Sequence, residues 1–315
     1  MAGELLEVDD LKKSYPTSRG TLYAVDGVSF ALDAGETLGL VGESGCGKST
    51  LGKTICRIHE PTAGSIKLNG VDIARASRRA LYDMRRVIQI IFQDPYGSLN
   101  PRRPVGAILQ EAMQVQRIGT ARNRGDMVAA LLERVGLRPD VATRLPHEFS
   151  GGQRQRIGIA RALCVSPQLV ICDEPVSALD VSVRAQILNL LVDLQRERQL
   201  SYLFISHDLS VVRYIADRVM IMYLGRVVEL APQGEIWSQP RHPYTRELIT
   251  AVPIPDPAYR RQRQAVVQTD APSPIDRPAG CRFRARCPLA EERCRTSDPV
   301  LRQVSLGHWV ACHLA

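Results

Sequence analysis

Gly42-Glu43-Ser44-Gly45-Cys46-Gly47-Lys48-Ser49-Thr50 is the stretch on which the reading of this chain turns. Ahead of it, Thr37-Leu38-Gly39-Leu40-Val41 predicts a short apolar strand, and behind it Leu51 to Ile58 predicts the start of a helix. Glycines at 42, 45 and 47 let successive backbone N–H groups, those flanking Ser44, Cys46 and Thr50 included, turn inward towards an anion. The helix start adds unpaired donors and the positive end of its dipole. Lys48 can then reach the β- and γ-phosphates of a nucleotide, and the Ser49 hydroxyl can ligate Mg²⁺. A strand, this loop and a helix in sequence predict a nucleotide-binding site.

The 315 residues are 44% hydrophobic, enough for one large core or two modest ones. No run of about 18 apolar residues occurs, as a membrane-spanning helix needs. Met1-Ala2-Gly3-Glu4 shows no basic segment followed by an apolar one, so no secretory signal is expected and the chain is read as cytoplasmic. The net charge is +8, and Arg277, Arg282, Arg284, Arg286, Arg293, Arg295 and Arg302 crowd one stretch against Asp276, Glu291, Glu292 and Asp298. Such a patch suits nucleic acid, anionic lipid, an acidic partner or simply a solvated surface. Of the eight cysteines, Cys46, Cys56, Cys164 and Cys172 are scattered and read as small core residues. Cys281, Cys287, Cys294 and Cys312 cluster at the end, which in a reducing compartment points to metal before disulfides.

Leu5 to Val8 and Gly27 to Leu32 predict an N-terminal antiparallel layer, with Tyr15 in the loop between them, as ordinary packing or stacked on a purine. Ser65 to Leu68 predicts a strand ended by the hairpin-type turn Asn69-Gly70. Val87 to Phe92 is apolar except at Gln89 and predicts a strand buried on both faces, with Gln93 at its carboxyl end. From about Pro104 to Leu163 the pattern is helical, Met127 to Val135 carrying an apolar face. Leu169 to Cys172 and Tyr202 to Ile205 predict further buried strands, separated by a helix over Val183 to Arg198, and a hairpin turns at Leu224-Gly225. The expected fold class is therefore α/β, a mostly parallel sheet with an antiparallel N-terminal layer and a helical insertion at about 94–163. Residues 253–280 hold six prolines and read as a linker or surface wrap, dividing a domain at 1–252 from a cysteine-bearing extension at 253–315.

Four predicted strand ends present the phosphate loop, Gln93, Asp173-Glu174 and His207, all on the edge where open α/β sheets bind ligands. Asp173 suits Mg²⁺, directly or through water. Glu174 is placed to activate a water against the γ-phosphate. His207 draws its interest from its position, since a lone histidine more often caps or packs. Phe149-Ser150-Gly151-Gly152-Gln153 opens another helix and makes a second anion cradle on the same chain.

At this point the sequence resembles the ATP-binding-cassette ATPases over residues 5 to 230. Ser150-Gly151-Gly152-Gln153 matches their signature motif, with Phe149 where leucine is commoner. The resemblance implies Tyr15 as the adenine-stacking aromatic, Gln93 and His207 beside the γ-phosphate, and Asp180 in the Ser177-Ala178-Leu179-Asp180 motif. It also implies ATP and Mg²⁺ as ligands, with Ser49, Gln93 and Asp173 around the metal. Two cassettes pair head to tail in that family, so that Ser150, Gly151, Gly152 and Gln153 clasp the nucleotide of the partner. A soluble family member acting on nucleic acid or ribosomes is the alternative of another class; such proteins carry two cassettes or a coiled-coil insertion, neither of which is here.

A finer resemblance covers nearly the whole chain. Ile91 to Arg102, Arg241-His242-Pro243-Tyr244-Thr245 and the terminal cysteines are similar to the oligopeptide/dipeptide importer branch. The branch implies a second ATPase subunit, expected to be a different chain, two transmembrane permease subunits, an extracytoplasmic solute-binding protein, and a peripheral place on the cytoplasmic face of the cell membrane. No nucleic acid is expected. Importers of nickel or glutathione share much of the pattern.

The terminal cysteines are spaced C-x5-C-x6-C-x17-C, wider than the paired knuckles of structural zinc sites. A larger [4Fe–4S] cubane fits that spacing, with zinc as the alternative, and tails of this branch are associated with such a cluster. Arg282, Arg284, Arg286, Arg293 and Arg295 are read as offsetting its negative charge, and His308 or His313 as possible substitute ligands. Its expected role is to clip the proline-rich segment back onto the cassette.

Overall fold

The computed structural model describes residues 4–252, 275 and 279–315. The proline-rich stretch read as a linker or wrap lies almost wholly outside the described residues, Asp276 and Arg277 with it. The chain opens with β1 (Glu4–Thr17), β2 (Gly20–Asp33), β3 (Thr37–Val41), α1 (Lys48–Ile55), β4 (Ala63–Leu68) and β5 (Val71–Asp72). Next come α2 (Arg78–Val87), β6 (Ile88–Ile91), and a helical run of α3 (Pro95–Ser98), α4 (Val105–Val115), α5 (Arg124–Arg134) and α6 (Gly151–Leu163). After β7 (Leu169–Asp173) follow α7 (Val181–Arg198), β8 (Ser201–Ser206), α8 (Leu209–Ile215), β9 (Arg218–Tyr223) and β10 (Arg226–Pro232). The end holds α9 (Gln233–Ser238), α10 (Pro243–Ala251), α11 (Arg293–Thr296), β11 (Arg302–Ser305) and β12 (His308–Val310). No helix among the described residues is long and apolar enough to cross a membrane.

The chain divides into two compact units. The first comprises Leu32–Thr37 and Leu68–Ile205 with the N-terminal residues to Leu6. In it β6, β7 and β8 run parallel, Ile88 opposite Leu169 and Leu169 opposite Ser201. Leu169, Val170, Ile171 and Cys172 are at most 1% exposed, the continuous apolar run of a strand covered on both faces. The strand predicted at 87–92 departs from expectation. Val87 closes α2, β6 ends the sheet order, and its middle residues Gln89 and Ile90 are only half-buried. An apolar run records a strand's hydrophobicity but not whether a neighbour covers its far side. Across the helical run, Leu109 and Met113 of α4, Val128, Leu131 and Leu132 of α5, and Ile157 and Ala160 of α6 are buried. Each large aliphatic side chain removed from water there contributes about 1.5–3 kcal/mol.

The second unit comprises Glu7–Ala31, Leu38–Lys67 and Ser206–Ala315. Its sheet begins with β3 parallel to β9, Leu40 opposite Met220. β10 returns antiparallel to β9 around Leu224-Gly225, both at positive φ as a tight hairpin demands. β12 and β11, from the cysteine-bearing end, extend the same sheet past β10, with Glu229 opposite Val310. Glu229 is fully buried, yet its carboxylate is satisfied: it accepts the backbone N–H groups of Arg241 (2.7 Å) and His242 (2.9 Å) and meets His308 Nε2 at 2.7 Å. One acid thereby ties the start of α10 and the terminal hairpin to β10. β1 and β2 are neighbouring long strands joined by a tight turn at Ser18-Arg19. Tyr15 consequently lies within β1, not in a loop, because Lys12 and Thr62 continue the backbone pairing beyond the apolar segment that sequence alone could follow.

Candidate functional site

In the second unit, β3 ends at Val41 and the chain turns into the 42–50 loop. The loop closes against backbone: a Cβ on Gly42 would stand 2.2 Å from the Met222 carbonyl oxygen, and one on Gly47 2.0 Å from that of Ala24. Gly47 also takes φ +104°, a conformation an L side chain resists, so no other residue fits there. Gly47 caps α1 without a side-chain hydrogen bond, and the helix begins at Lys48 with its first N–H groups directed into the loop. Lys48 is 4% exposed, and its ammonium donates to Gly42 O (2.7 Å) and Glu43 O (2.8 Å). Its third donor faces the Cys46 sulfur at 3.9 Å, a weak acceptor that a phosphate oxygen can replace. Ser49 and Thr50 follow on the first turn of α1. The Cys46 thiol is buried and pushed up from its ordinary value by that burial, so it is a neutral part of the loop wall. Tyr15 is half-buried in β1, its edge against His59 with ring centroids 6.0 Å apart and Lys13 over its face at 4.6 Å. His207 is exposed immediately after β8.

In the first unit, Asp173 ends β7 and is 2% exposed. Glu174, next along, takes φ +47°, a left-handed conformation that costs a non-glycine residue about 1–2 kcal/mol. Surrounding bonds impose it: its N–H donates to Ile205 O at 3.1 Å, while its carbonyl accepts the Ser177 N–H and hydroxyl. The result is that the Glu174 carboxylate meets Gln93, whose Nε2 donates to Oε2 at 3.0 Å. With the amide nitrogen so committed, the Gln93 amide oxygen is the atom that can face a cation. Amide and carboxylate oxygens such as those of Gln93 and Asp173 are the hard donors that Mg²⁺ prefers. The two residues predicted from separate strand ends are thus in contact.

Ser150 caps α6 reciprocally, its hydroxyl accepting Gln153 N–H at 3.3 Å while Gln153 Oε1 accepts Ser150 N–H at 3.0 Å. Ser150, Gly151 and Gln153 are exposed at this helix start. Gly152 has a local reason as well, since a Cβ there would lie 2.4 Å from Val183 Cγ1 on α7. Asp180 is exposed at the N-cap of α7, its carbonyl accepting Arg184 N–H.

All four terminal cysteines are free thiols. They are mutual neighbours: burial pushes the Cys281 thiol up to about 11, and Cys294, Cys287 and Cys312 push in the same direction. Among the described residues no group of three or more His, Cys, Asp or Glu is placed to hold a metal ion. The histidines read as substitute ligands are engaged elsewhere, His308 with Glu229 and Glu235, and His313 with Ser297 O at 2.9 Å. The arginines read as offsetting a cluster's charge are also mostly committed to carboxylates. Arg282 pairs with Asp26, Arg286 with Glu43 and Glu247, Arg293 with Glu291 and Arg295 with Glu292. Those acids lie far from the tail in sequence or interleave with it, and a count of local charge could not match them.

Sequence reasoning missed Tyr244 and Arg286, which both reach the phosphate loop at Glu43. Glu43 N–H donates to Tyr244 Oη at 2.9 Å, and Arg286 Nη1 lies 2.8 Å from Glu43 Oε1. The only signals were the Arg241 to Thr245 motif and the cysteine spacing, neither of which names a contact.

The model of the ABC transporter family matches residues 25–177, and that of the oligopeptide/dipeptide transporter C-terminal region matches residues 228–294. A Brucella ovis protein named for peptide import ATP binding is 52% identical over 308 residues, covering 98% of this chain and 97% of its own. The oligopeptide transport ATP-binding protein AppF of Bacillus subtilis is 50% identical over 319 residues, covering 98% and 97%. Among solved structures, the ATP-binding cassette MJ0796, in a dimeric post-hydrolysis state bound to ADP and phosphate, matches with a TM-score of 0.67 at 26% identity, covering 72% of this chain and 98% of its own. CbiO1 of Clostridium perfringens, part of the transporter complex cbiONQ, matches with a TM-score of 0.66 at 30% identity, covering 75% and 91%.

Proposed function

Because this chain belongs to the ABC transporter family, as an ATP-binding protein of its oligopeptide/dipeptide branch, we propose that it hydrolyses ATP to power import of di- and oligopeptides across the cytoplasmic membrane. The observation that carries the chemistry is the 3.0 Å bond between Gln93 and Glu174. It holds a carboxylate, on a strained and over-determined backbone, at the end of a buried strand. There Glu174 orients and polarises the water that attacks the γ-phosphate, releasing ADP and phosphate. Lys48 and the loop N–H groups neutralise charge on the phosphate chain, and His207 stands by the γ-phosphate as a hydrogen-bonding group. Tyr15 offers a ring for the adenine, and Asp180 belongs to the loop that follows the catalytic strand. Ser49, Gln93 and Asp173 would hold Mg²⁺, whose charge would offset that of the phosphates.

Ser150, Gly151, Gly152 and Gln153 serve the nucleotide of a second cassette, a reading supported by the exposure of Ser150, Gly151 and Gln153 at a well-capped helix start. That second subunit is a different chain in this proposal, and the pair docks on two permease subunits at the cytoplasmic face of the membrane, fed by an extracytoplasmic binding protein. The four terminal thiols would hold a [4Fe–4S] cluster. Their spacing, wider than zinc knuckles, and their mutual proximity support a polynuclear group over zinc. Held by Cys281, Cys287, Cys294 and Cys312, it would cross-link the 281–294 segment to the chain end.

The test is uptake. Cells lacking this chain should lose ATP-dependent uptake of labelled di- and tripeptides, restored by the intact chain and not by Lys48→Ala. Normal peptide uptake with loss of nickel or glutathione uptake would overturn the peptide assignment.

A further inference from the structure

Glu43, the second residue of the phosphate loop, is held at every polar group it owns. Its carbonyl accepts from Lys48 Nζ (2.8 Å), its N–H donates to Tyr244 Oη (2.9 Å), and its carboxylate receives Arg286 Nη1 at 2.8 and 2.9 Å. Tyr244 is fully buried near the start of α10. Arg286 is 8% exposed, bonds Glu247 of α10 as well, and stands within 5.6–6.0 Å of the ring centroids of Phe283, Tyr223 and Tyr244. The stack has a fixed base. Tyr223 ends β9, the strand paired with β3, and β3 runs directly into the loop. Arg286 itself sits in a tight turn between two cysteines, where Arg284 N–H donates to Cys281 O and both Arg286 and Cys287 donate to Phe283 O.

An acidic side chain in an anion-binding loop is unfavourable unless a cation answers it. Arg286 is that cation, and Tyr244 fixes the main chain from which the acid projects. We propose that Arg286 and Tyr244 are positioning residues of the ATP site. Acting through Glu43, they set the orientation of the loop and of Lys48, so the cysteine-bearing segment forms part of the nucleotide-binding machinery. This rests on reading the 42–50 loop as the ATP site, and the experiment separates the two claims.

MgATP affinity is measured with a fluorescent ATP analogue on the full chain, alongside the thermal midpoint without nucleotide. Lys48→Ala tests the site itself and should abolish binding; unchanged binding there would overturn the site reading. Tyr244→Phe removes one oxygen and keeps the ring, so the midpoint should move little while affinity falls about twofold to tenfold, the scale of one hydrogen bond. Arg286→Met keeps the stem, removes the charge and should weaken binding about tenfold or more, as loss of a charged hydrogen bond does. Adding Glu43→Gln to Arg286→Met should cause no further loss, because both act through one contact. Unchanged affinity in Tyr244→Phe and Arg286→Met, with only the midpoint lowered, would overturn the proposal, as would fully additive losses in the double variant.

Discussion

Gln93, just past β6, and Glu174, just past β7, are joined by a 3.0 Å amide-to-carboxylate hydrogen bond. The two strands are parallel neighbours, Ile91 opposite Cys172, so the contact places both side chains at one carboxyl edge. The bond also orients the pair: it directs the Gln93 nitrogen to the acid and leaves the amide oxygen to a cation.

Glu174→Gln tests the acid. The new amide is isosteric and can still bond Gln93, so ATP binding should persist while kcat falls about 10²–10⁴-fold, the range for a lost general base. With the partner cassette equally disabled, ATP should accumulate unhydrolysed in a closed dimer on gel filtration. Normal single-turnover hydrolysis in that complex would remove Glu174 from the mechanism.

Ser150→Arg tests pairing. The cap of α6 is lost at a cost of about 1 kcal/mol, small enough for the fold to survive. Nucleotide affinity of the isolated chain should stay near normal, while hydrolysis at the partner's loop should collapse. An equal loss of affinity in the isolated chain would place Ser150 at its own nucleotide.

His242 carries a pH dependence. Burial, helped by the positive charge of Arg246, lowers it from 6.5 to about 4, and its Nδ1 accepts Tyr244 N–H at 3.1 Å. Between these two values the unfolded chain binds the proton and the folded chain does not. Stability is therefore retained above the unfolded value and declines as pH falls from 6.5 towards 4. His242→Asn keeps a capping acceptor without titrating, so its thermal midpoint should vary less across that window. Parallel pH profiles for the two proteins would count against the assignment.

The terminal cysteines predict colour. Protein purified without oxygen should be brown, absorb broadly near about 400 nm, and contain iron and sulfide. Cys281→Ser or Cys287→Ser should abolish the colour. A colourless anaerobic preparation with stoichiometric zinc would reject the cluster.

Much of the site was legible before folding because its parts are local. The 42–50 loop, Asp173-Glu174 and the Ser150 helix start are contiguous motifs whose shape follows from glycine freedom, strand ends and capping, all of which act over a few residues. The same locality fixed the central strands, since 169–172 of β7 and 202–205 of β8 are runs of hydrophobic residues. Reading failed where an element's environment depends on distant neighbours. The sheet edge at β6 is set by which strands stack beside it, and Tyr15 lies in a strand because its partners continue further than its hydrophobicity does.

By itself the sequence determined the chemistry on offer: a phosphate cradle, hard oxygen donors, a carboxylate for water and four clustered thiols. The tertiary structure alone decided that Glu43 is gripped by Tyr244 and Arg286, from 201 and 243 residues away. It also decided that Arg282 and Arg286 of the tail answer the distant acids Asp26, Glu43 and Glu247. The physical reason is range. Backbone preferences and motif spacing act between near neighbours, whereas an ion pair between distant segments exists only once the sheet brings β3, β9 and β10 into register and closes the aromatic stack of Tyr223, Tyr244 and Phe283 beneath it.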